Sequence, residues 1–591
     1  MSDNDAIAKL IGTLSGFKPG GALKNYISYA VFPKFKNFEP GTRVEFSFPL
    51  TALVGANGIG KSSLLHAMWG MPYGYSTSKF WFATELDPIE GNQKDPQRYF
   101  YGHWSDAFGG IVETRKARVG LKKGADYWEP ARRSGPDGMA ELPNGEFEGK
   151  SKDRWNPVKR DVVYINLKMA FGSFDRYFYF DEKHKGGDKR VVMMREARRL
   201  KSIVLNNRTS YKLGGHERLF ENRTLTAEEL KHVSAILGRE YNAARLVRHS
   251  LYPGNRGHDL SVVFQRGVQY SEAYAGSGEI AAVSAVVQIV AAEEGSLVLL
   301  DEPETSLHPG AQRAFLRFLL EQIKLKKHQV IVSTHSSEFI TGLPHDAIKV
   351  FEDNGKGQSR ILPRSSSTAA LRRLGKPPEN MRRVLVEDAL AELIVLRAAK
   401  GLDEGDAAAL QVRIAPGGAE AILMHLGPSA MLSGDEVFVL LDGDKRMVDV
   451  FSDPQQIAPA EHRALPALLK RELGMEPMLH IPGGKDDAGH QIAKINAQLE
   501  YLAWLRKHVS YLPRKVPEQI VLEALDPGHD HGAKSSAEAK AALRVKLADG
   551  SDADLSGAEF LALAKVKIAK MPLDNPDLAQ IRTQLQTWLH G

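Results

Sequence analysis

The octapeptide GANGIGKS, Gly55 to Ser62, stands between an apolar strand-like run, LTALV, and a helix-like run, SSLLHAMWG. A phosphate-binding loop needs that order of strand, glycine loop and helix. Glycines let the backbone curl until its amides face an anion at the helix N-terminus. Gly55, Asn57, Gly58 and Gly60 are the expected cradle, with Ser63 beside them. Lys61 is expected to reach the β- and γ-phosphates and Ser62 to ligate Mg²⁺. The constraint on fold is strong: the chain is expected to be α/β.

Further strings strengthen this expectation. LVLLDEPETSLHP, Leu297 to Pro309, reads as an apolar strand ending in Asp301 and Glu302. Asp301 suits a magnesium position, directly or through water, and Glu302 suits polarising the attacking water. VIVSTHS, Val330 to Ser336, places His335 at a strand's carboxyl end, where it is expected to sense the γ-phosphate. GSGE, Gly276 to Glu279, opens a helix, so Ser277 and Gly278 offer a second anion site through their amides.

At 591 residues the chain is too long for one core, and at least two domains are expected. Zero cysteines exclude disulfides, thiolate chemistry and a cysteine-ligated zinc site. A reduced cytoplasm is the expected setting; no apolar run approaches the ~20 residues of a membrane span, and no signal-peptide profile opens the chain. The net charge of +6 is mild, but basic clusters stand at Lys183–Lys189, Arg195–Lys201 and Arg372–Lys376. Alone they read as solvated surface; beside a nuclease domain they would track phosphates.

The expected division begins with an N-terminal extension, 1–26, and an ATPase domain, 27–360. That domain would carry an irregular lobe near 122–160 and a helical insert near 190–255, where Thr226 and Glu229 form a capping box. A linker, 361–380, follows, then a second α/β domain, 381–525, and a helical C-terminal region, 526–591. No sustained heptad pattern is present, which argues against a long coiled-coil arm.

The ordered motifs resemble an ABC-type ATPase head of the RecF and chromosome-maintenance superfamily. The resemblance implies that Ser277 and Gly278 complete the ATP site of a second copy, hence a homodimer or higher homo-oligomer. DEPETSLHP, with His308 and Pro309, resembles the ATPases of the OLD (overcoming lysogenization defect) nuclease family, which tolerates GSGE in place of the usual signature. The glutamine-loop residue has no clear position; Gln97 is only a guess.

In the second half, RVLVE is a short apolar strand ending in Glu387, and Val437–Leu441 is another ending in Asp442-Gly443-Asp444. Neighbouring ends of an open parallel sheet converge, so Glu387, Asp442 and Asp444 are expected to form a hard-oxygen site for Mg²⁺ or Mn²⁺. The pattern resembles a TOPRIM domain, and VRIAPGG, Val412–Gly418, fits that fold's second strand and turn. Asp388 stands where that family has glycine, and Ala391 where it has an acid, so Asp388 or Glu392 is left as the further ligand. By the same resemblance Lys485, Asp487, Lys515 and Glu518 are site candidates. The expected architecture is thus an ABC-type P-loop head with an inserted mixed and helical lobe, a Rossmann-like TOPRIM domain and a helical tail.

The resemblance implies an ATP-hydrolysing, metal-dependent DNA endonuclease, its cutting gated by the ATP state and used in bacterial anti-phage defence. Some family members work with a helicase, or with a reverse transcriptase and its RNA. The alternative is a RecF-like clamp that binds DNA for repair and carries an inactive TOPRIM-like domain. A transporter subunit fits poorly with the large second domain. A topoisomerase lacks a candidate tyrosine here, and a primase lacks zinc-binding cysteines.

Overall fold

The computed structural model describes residues 3–89, 94–119, 127–180, 188–252, 259–374, 381–481, 488–528, 531–548 and 555–590. The chain divides into two compact units, Met1–Leu374 and Gly375–Gly591.

The first unit is organised by a six-stranded sheet. Its order is Ser359–Leu362, Ile348–Asp353, Leu50–Val54, Gln329–Ser333, Leu297–Asp301, Val162–Asn166. All neighbours run parallel except the first pair, which is antiparallel. Every residue of Leu50–Val54, Leu297–Asp301 and Gln329–Ser333 is buried. Both faces of the sheet are covered, so these strands read as continuous apolar runs rather than alternating ones. Register aligns their carboxyl ends: Asp301 lies opposite both Asn166 and Ser333, and Ser333 opposite Leu53.

An antiparallel five-stranded sheet carries Ile27–Lys34 and Arg98–Ser105 at its centre, and a four-stranded one spans Leu219 to Ser271. The segment near 190–255 is therefore mixed rather than helical. It holds the helices Lys189–Leu205 and Ala227–Leu237, the latter opened by the Thr226–Glu229 capping box, and strands between and after them. In the lobe near 122–160, Tyr127–Ala131 joins the five-stranded sheet.

Two further expectations are corrected. The N-terminal segment is not a loose extension: Asp3–Leu14 is a helix with Ile7 and Leu14 buried in the core of the first unit, and Leu23 and Tyr26 are buried too. The expected linker, 361–380, holds the short basic helix expected between its serine and proline clusters and the division between the units after Leu374, but its start is packed into the first unit. Ile361 and Leu362 belong to an edge strand, and Ser367–Arg373 is a helix that buries Ala369, Ala370 and Leu371. Its serines mislead because they are structural: Ser366 caps that helix by accepting the Ala369 amide. Residues 375–380 lie outside the described residues.

The second unit is built on a four-stranded parallel sheet, ordered Leu410–Ile414, Arg382–Val386, Val437–Leu441, Val509–Tyr511. The helices Ala389–Ala399 and Pro517–Leu525 share one cluster with Ser536–Leu547, Gly557–Lys570 and Pro576–His590. The C-terminal region is thus part of this core, with Trp588 stacked on Phe438 at 5.0 Å. A second cluster, around Ile422, Leu465, Tyr501 and Leu505, includes Val439 and Leu441 of the central strand.

Lys116 shows how the first unit fixes its phosphate-loop helix. The side chain is buried without a carboxylate partner, and its ammonium donates to the carbonyls of Gly70, Pro72 and Tyr75 at the end of Lys61–Gly70. Burial pushes this lysine down to about 7. Lys116→Met orphans those carbonyls, and urea unfolding should show a loss of roughly 2–4 kcal/mol. An unchanged midpoint would contradict the assignment.

Candidate functional site: the edge of the parallel sheet

Gly60 ends the loop at φ 108°, in the left-handed region, and the helix Lys61–Gly70 starts directly after it. Asn57 and Gly58 stand exposed at the loop, Ser63 is half-buried in the first helical turn, and Gly55 follows the buried strand. Lys61 is buried. Its Nζ donates to the carbonyls of Gly55 and Ala56 at 2.9 Å each and lies 2.9 Å from His335 Nε2. Burial pushes the Lys61 ammonium down, against the pull of Glu302, Asp301 and Glu304. The ammonium thus rests on carbonyls of the same loop whose amides are built for phosphate.

Ser62 Oγ lies 3.1 Å from each carboxylate oxygen of Asp301, a hard-oxygen pair that fits Mg²⁺ beside phosphates. Glu302 takes φ 48°, a left-handed value rare outside glycine, and its amide donates to Ser333 O at 2.9 Å. Its carboxylate meets Lys168 Nζ at 2.6 Å through one oxygen and faces His335 Nε2 at 3.6 Å through the other. Burial pushes Glu302 up, but the Lys168 contact outweighs it, helped by His335 and Lys61, and the carboxyl lies below its ordinary range. The sheet edge therefore brings together Lys61, Ser62, Asp301, Glu302 and His335.

Sequence reasoning missed three contributors. Tyr164 donates its hydroxyl to Asp301 at 3.1 Å, Glu304 accepts the His335 amide at 2.6 Å, and Lys168 pairs with Glu302. The available signal was the run DVVYINLK, an apolar strand ending in polar residues much as LVLLDE does. The side chain of Gln97 accepts the amide of Lys36 at 3.0 Å.

The helix Ser277–Ala291 leaves Ser277 exposed at its N-terminus, and Gly276 supplies no side-chain cap. Glu279 holds this end in place, accepting the hydroxyls of Tyr241 and Tyr270 at 2.6 Å each and the Gly276 amide at 2.8 Å. A Cβ on Gly278 would meet Ser306 O at 2.7 Å, so only glycine lets the helix approach the turn that follows Glu302. His308 caps the next helix by accepting the Ala311 amide.

In the second unit the two acidic strand ends do meet: Glu387 Oε1 accepts the Asp442 amide at 2.8 Å. Asp388 caps its helix through the Ala391 amide, at 2.8 Å. Asp444 lies 3.5 Å from Lys445 Nζ and 3.4 Å from the Ser536 hydroxyl. Burial, then Glu387, Asp388, Asp444 and Glu518, pushes the Asp442 carboxyl up to about 8. Burial likewise raises Glu387 and Glu518, the latter countered by Lys540. Asp442 Oδ1 and Glu518 Oε2 are buried without a hydrogen-bond partner.

The expected ready-made metal cage is not present: among the described residues no group of three or more His, Asp or Glu is arranged to hold an ion. The physical reason is mutual repulsion, since carboxylates crowded at one edge turn toward the nearest amides and cations. Glu392 is half-buried on the helix Ala389–Ala399, its amide bonded to Asp388 O at 3.1 Å. Lys515 is exposed, its carbonyl accepting the Asp444 amide at 2.8 Å. Lys485 and Asp487 lie outside the described residues.

The basic clusters are partly structural. Arg195 and Arg199 both bond the buried Glu196, and Arg373 pairs with Glu352 at 2.7 Å; Arg198 and Lys201 are exposed on the same helix as the former pair. Residues 183–187 of the first cluster lie outside the described residues. No helix among the described residues is long and apolar enough to cross a membrane.

An AAA ATPase domain family matches residues 192–340, and an AAA domain family matches residues 24–100. No curated protein matches. Among solved structures, the SMC head domain from Thermotoga maritima is 16% identical over 57% of this chain and 98% of its own, with a TM-score of 0.29. An Smc head with an extended coiled coil, bound to the C-terminal domain of ScpA and derived from Pyrococcus furiosus, is 16% identical over 60% of this chain and 99% of its own, with a TM-score of 0.32. The first unit is an α/β fold built on a mostly parallel sheet, and two of its segments are similar to AAA-type ATPase domains.

The carboxylate cluster makes a pH prediction. Asp442 titrates higher folded than unfolded, so its contribution to stability is full at low pH and is lost as pH rises from about 4 through about 8. Asp442→Asn lacks this loss. Without divalent ions, its free energy of unfolding in urea should exceed the parent's at pH 8, by on the order of a few kcal/mol, and the gap should close near pH 4. A gap independent of pH would contradict the cluster.

Proposed function

We propose that the chain is a nucleotide-driven clamp. ATP bound at Lys61 and Ser62 is closed over by Ser277 and Gly278 of a second copy, and the closed homodimer holds DNA until Glu302 activates the water that hydrolyses the γ-phosphate. The observation that carries this reading is the pairing of two features on one unit. One is the assembled edge of Lys61, Ser62, Asp301, Glu302 and His335; the other is a helix N-terminus that leaves Ser277 exposed. Large apolar side chains stand exposed beside both, Met169 at 75% next to Lys168 and Tyr274 at 87% just before the signature. Such groups on a soluble surface suit burial against a partner. Exposed Arg198 and Lys201, on a chain with a pI near 9.0, suit a phosphate backbone.

Glu302→Gln, which can bind ATP but not activate water, should accumulate a dimer with ATP and Mg²⁺ in light scattering and retain DNA. Adding Ser277→Arg should return it to monomer while nucleotide binding persists. A Glu302→Gln protein that stays monomeric with saturating ATP would end this reading.

A second reading is favoured by the orphaned oxygens of Asp442 and Glu518 beside Glu387, Asp388 and Asp444. It is the OLD-type nuclease: Glu387, Asp442 and Asp444 hold Mg²⁺ or Mn²⁺, and the ATP state gates cleavage of DNA. The anti-phage role and the helicase or reverse-transcriptase partners belong to this reading alone. Incubating plasmid and single-stranded DNA with Mg²⁺ or Mn²⁺, with and without ATP, separates the two. On the nuclease reading Asp442→Ala abolishes cleavage and leaves ATP hydrolysis intact. Binding without nicking favours the clamp.

A further inference from the structure

Lys168 is absent from every motif in the chain, yet its ammonium makes the shortest contact of Glu302, at 2.6 Å. Its backbone is fixed on both sides. Upstream, Val162–Asn166 is the outer strand beside Leu297–Asp301, with Asn166 opposite Asp301. The Asn166 side chain then caps the short turn Leu167–Met169 by accepting the Lys168 amide at 3.1 Å, while Leu167 is buried.

Downstream, Ser173 Oγ donates to the buried Glu272 at 2.6 Å. Glu272 also accepts the Ser261 hydroxyl at 2.7 Å, and Ser261 Oγ lies 2.9 Å from His249 Nε2. Between the anchors, a Cβ on Gly172 would meet Glu272 Cγ at 2.6 Å, so the chain runs hard against that carboxylate. An ordinary surface lysine swings freely; this one is mounted on a turn pinned to the sheet at one end and to a buried polar network at the other.

Glu302 needs such a partner. It protrudes from a left-handed backbone position at the end of its strand, and its other oxygen faces His335, 3.6 Å away. With one strong contact removed, the carboxylate is free to leave the direction in which it would meet an attacking water.

We propose that Lys168 is a positioning residue for Glu302, holding its carboxylate in the orientation that hydrolysis uses. The proposal rests on the reading of Glu302 as the water-activating group. Its role is separable from ATP binding, because the groups set to meet phosphates and Mg²⁺, Lys61, Ser62 and Asp301, are held by other partners.

The test uses the full chain with Lys168→Met and Lys168→Arg, measuring kcat and KM for ATP together with equilibrium binding of a fluorescent ATP analogue. Lys168→Met is expected to lower kcat by roughly 10- to 100-fold with KM and analogue binding within about twofold of the parent. Lys168→Arg, which keeps the charge, is expected to recover part of the loss. A merely structural lysine would weaken analogue binding as much as turnover and would overturn the proposal, as would a Lys168→Met protein with parental kcat. Glu302→Gln is run alongside: if it hydrolyses ATP normally, the parent reading has failed; if it is inactive while Lys168→Met turns over at the parental rate, only this proposal falls.

Discussion

Parallel register at one sheet edge is the constraint from which the first unit's chemistry follows. Asp301 is level with Asn166 on one side and Ser333 on the other. Separate stretches of sequence therefore deliver a carboxylate, a lysine-bearing turn and a histidine to the same place. None of these groups is local to the glycine loop, yet each reaches it because strands that begin level also end level. Buried apolar side chains hold the register, and the polar residues follow only at the strand ends, where the backbone leaves the core.

Charge is handled differently at the two edges. At the first, a chain of contacts runs from Lys61 to His335, from His335 to Glu302 and from Glu302 to Lys168. Asp301 meets hydroxyls and Glu302 a lysine, while Glu304 accepts the His335 amide through one oxygen and buries the other without a partner among the described residues; a nucleotide would enter as a new anion that competes for Lys61. At the second edge acids face acids. Glu387 and Asp388 are turned onto backbone amides, and buried oxygens of Asp442 and Glu518 are left without partners. Burial, and then repulsion from the neighbouring acids, favours the protonated form, which is why Asp442 rises to about 8. A cation would relieve it equally well, and that equivalence keeps the nuclease reading physically alive beside the clamp.

The glycine loop and the strands ending in Asp301, Ser333, Val386 and Leu441 were legible because buried parallel strands are written as unbroken apolar runs closed by polar residues. The meeting of Glu387 with Asp442 was legible for the same reason. What was hidden is what depends on tertiary packing. Ser366 in a serine-rich stretch looks like linker until its cap on a buried helix is seen. The helix Asp3–Leu14 looks peripheral because only Ile7 and Leu14 of its face are fully buried. Lys168 was overlooked because it stands two residues past the strand Val162–Asn166, whose apolar run no motif covers, and its contact with Glu302 follows from that strand's pairing with Leu297–Asp301. The side-chain directions of Asp388 and Asp444 were equally out of reach, since alternation fixes a face but not which amide or cation a carboxylate turns to.

The claim beneath the rest is that the first unit's sheet edge is a working ATP site. Equilibrium titration of the intact chain and of Lys61→Ala with a fluorescent ATP analogue and Mg²⁺, followed by phosphate release, tests it most directly. The account predicts saturable binding and steady phosphate release by the parent, with both lost in the variant. Equal binding and release by the two proteins, or none by the parent, would contradict it.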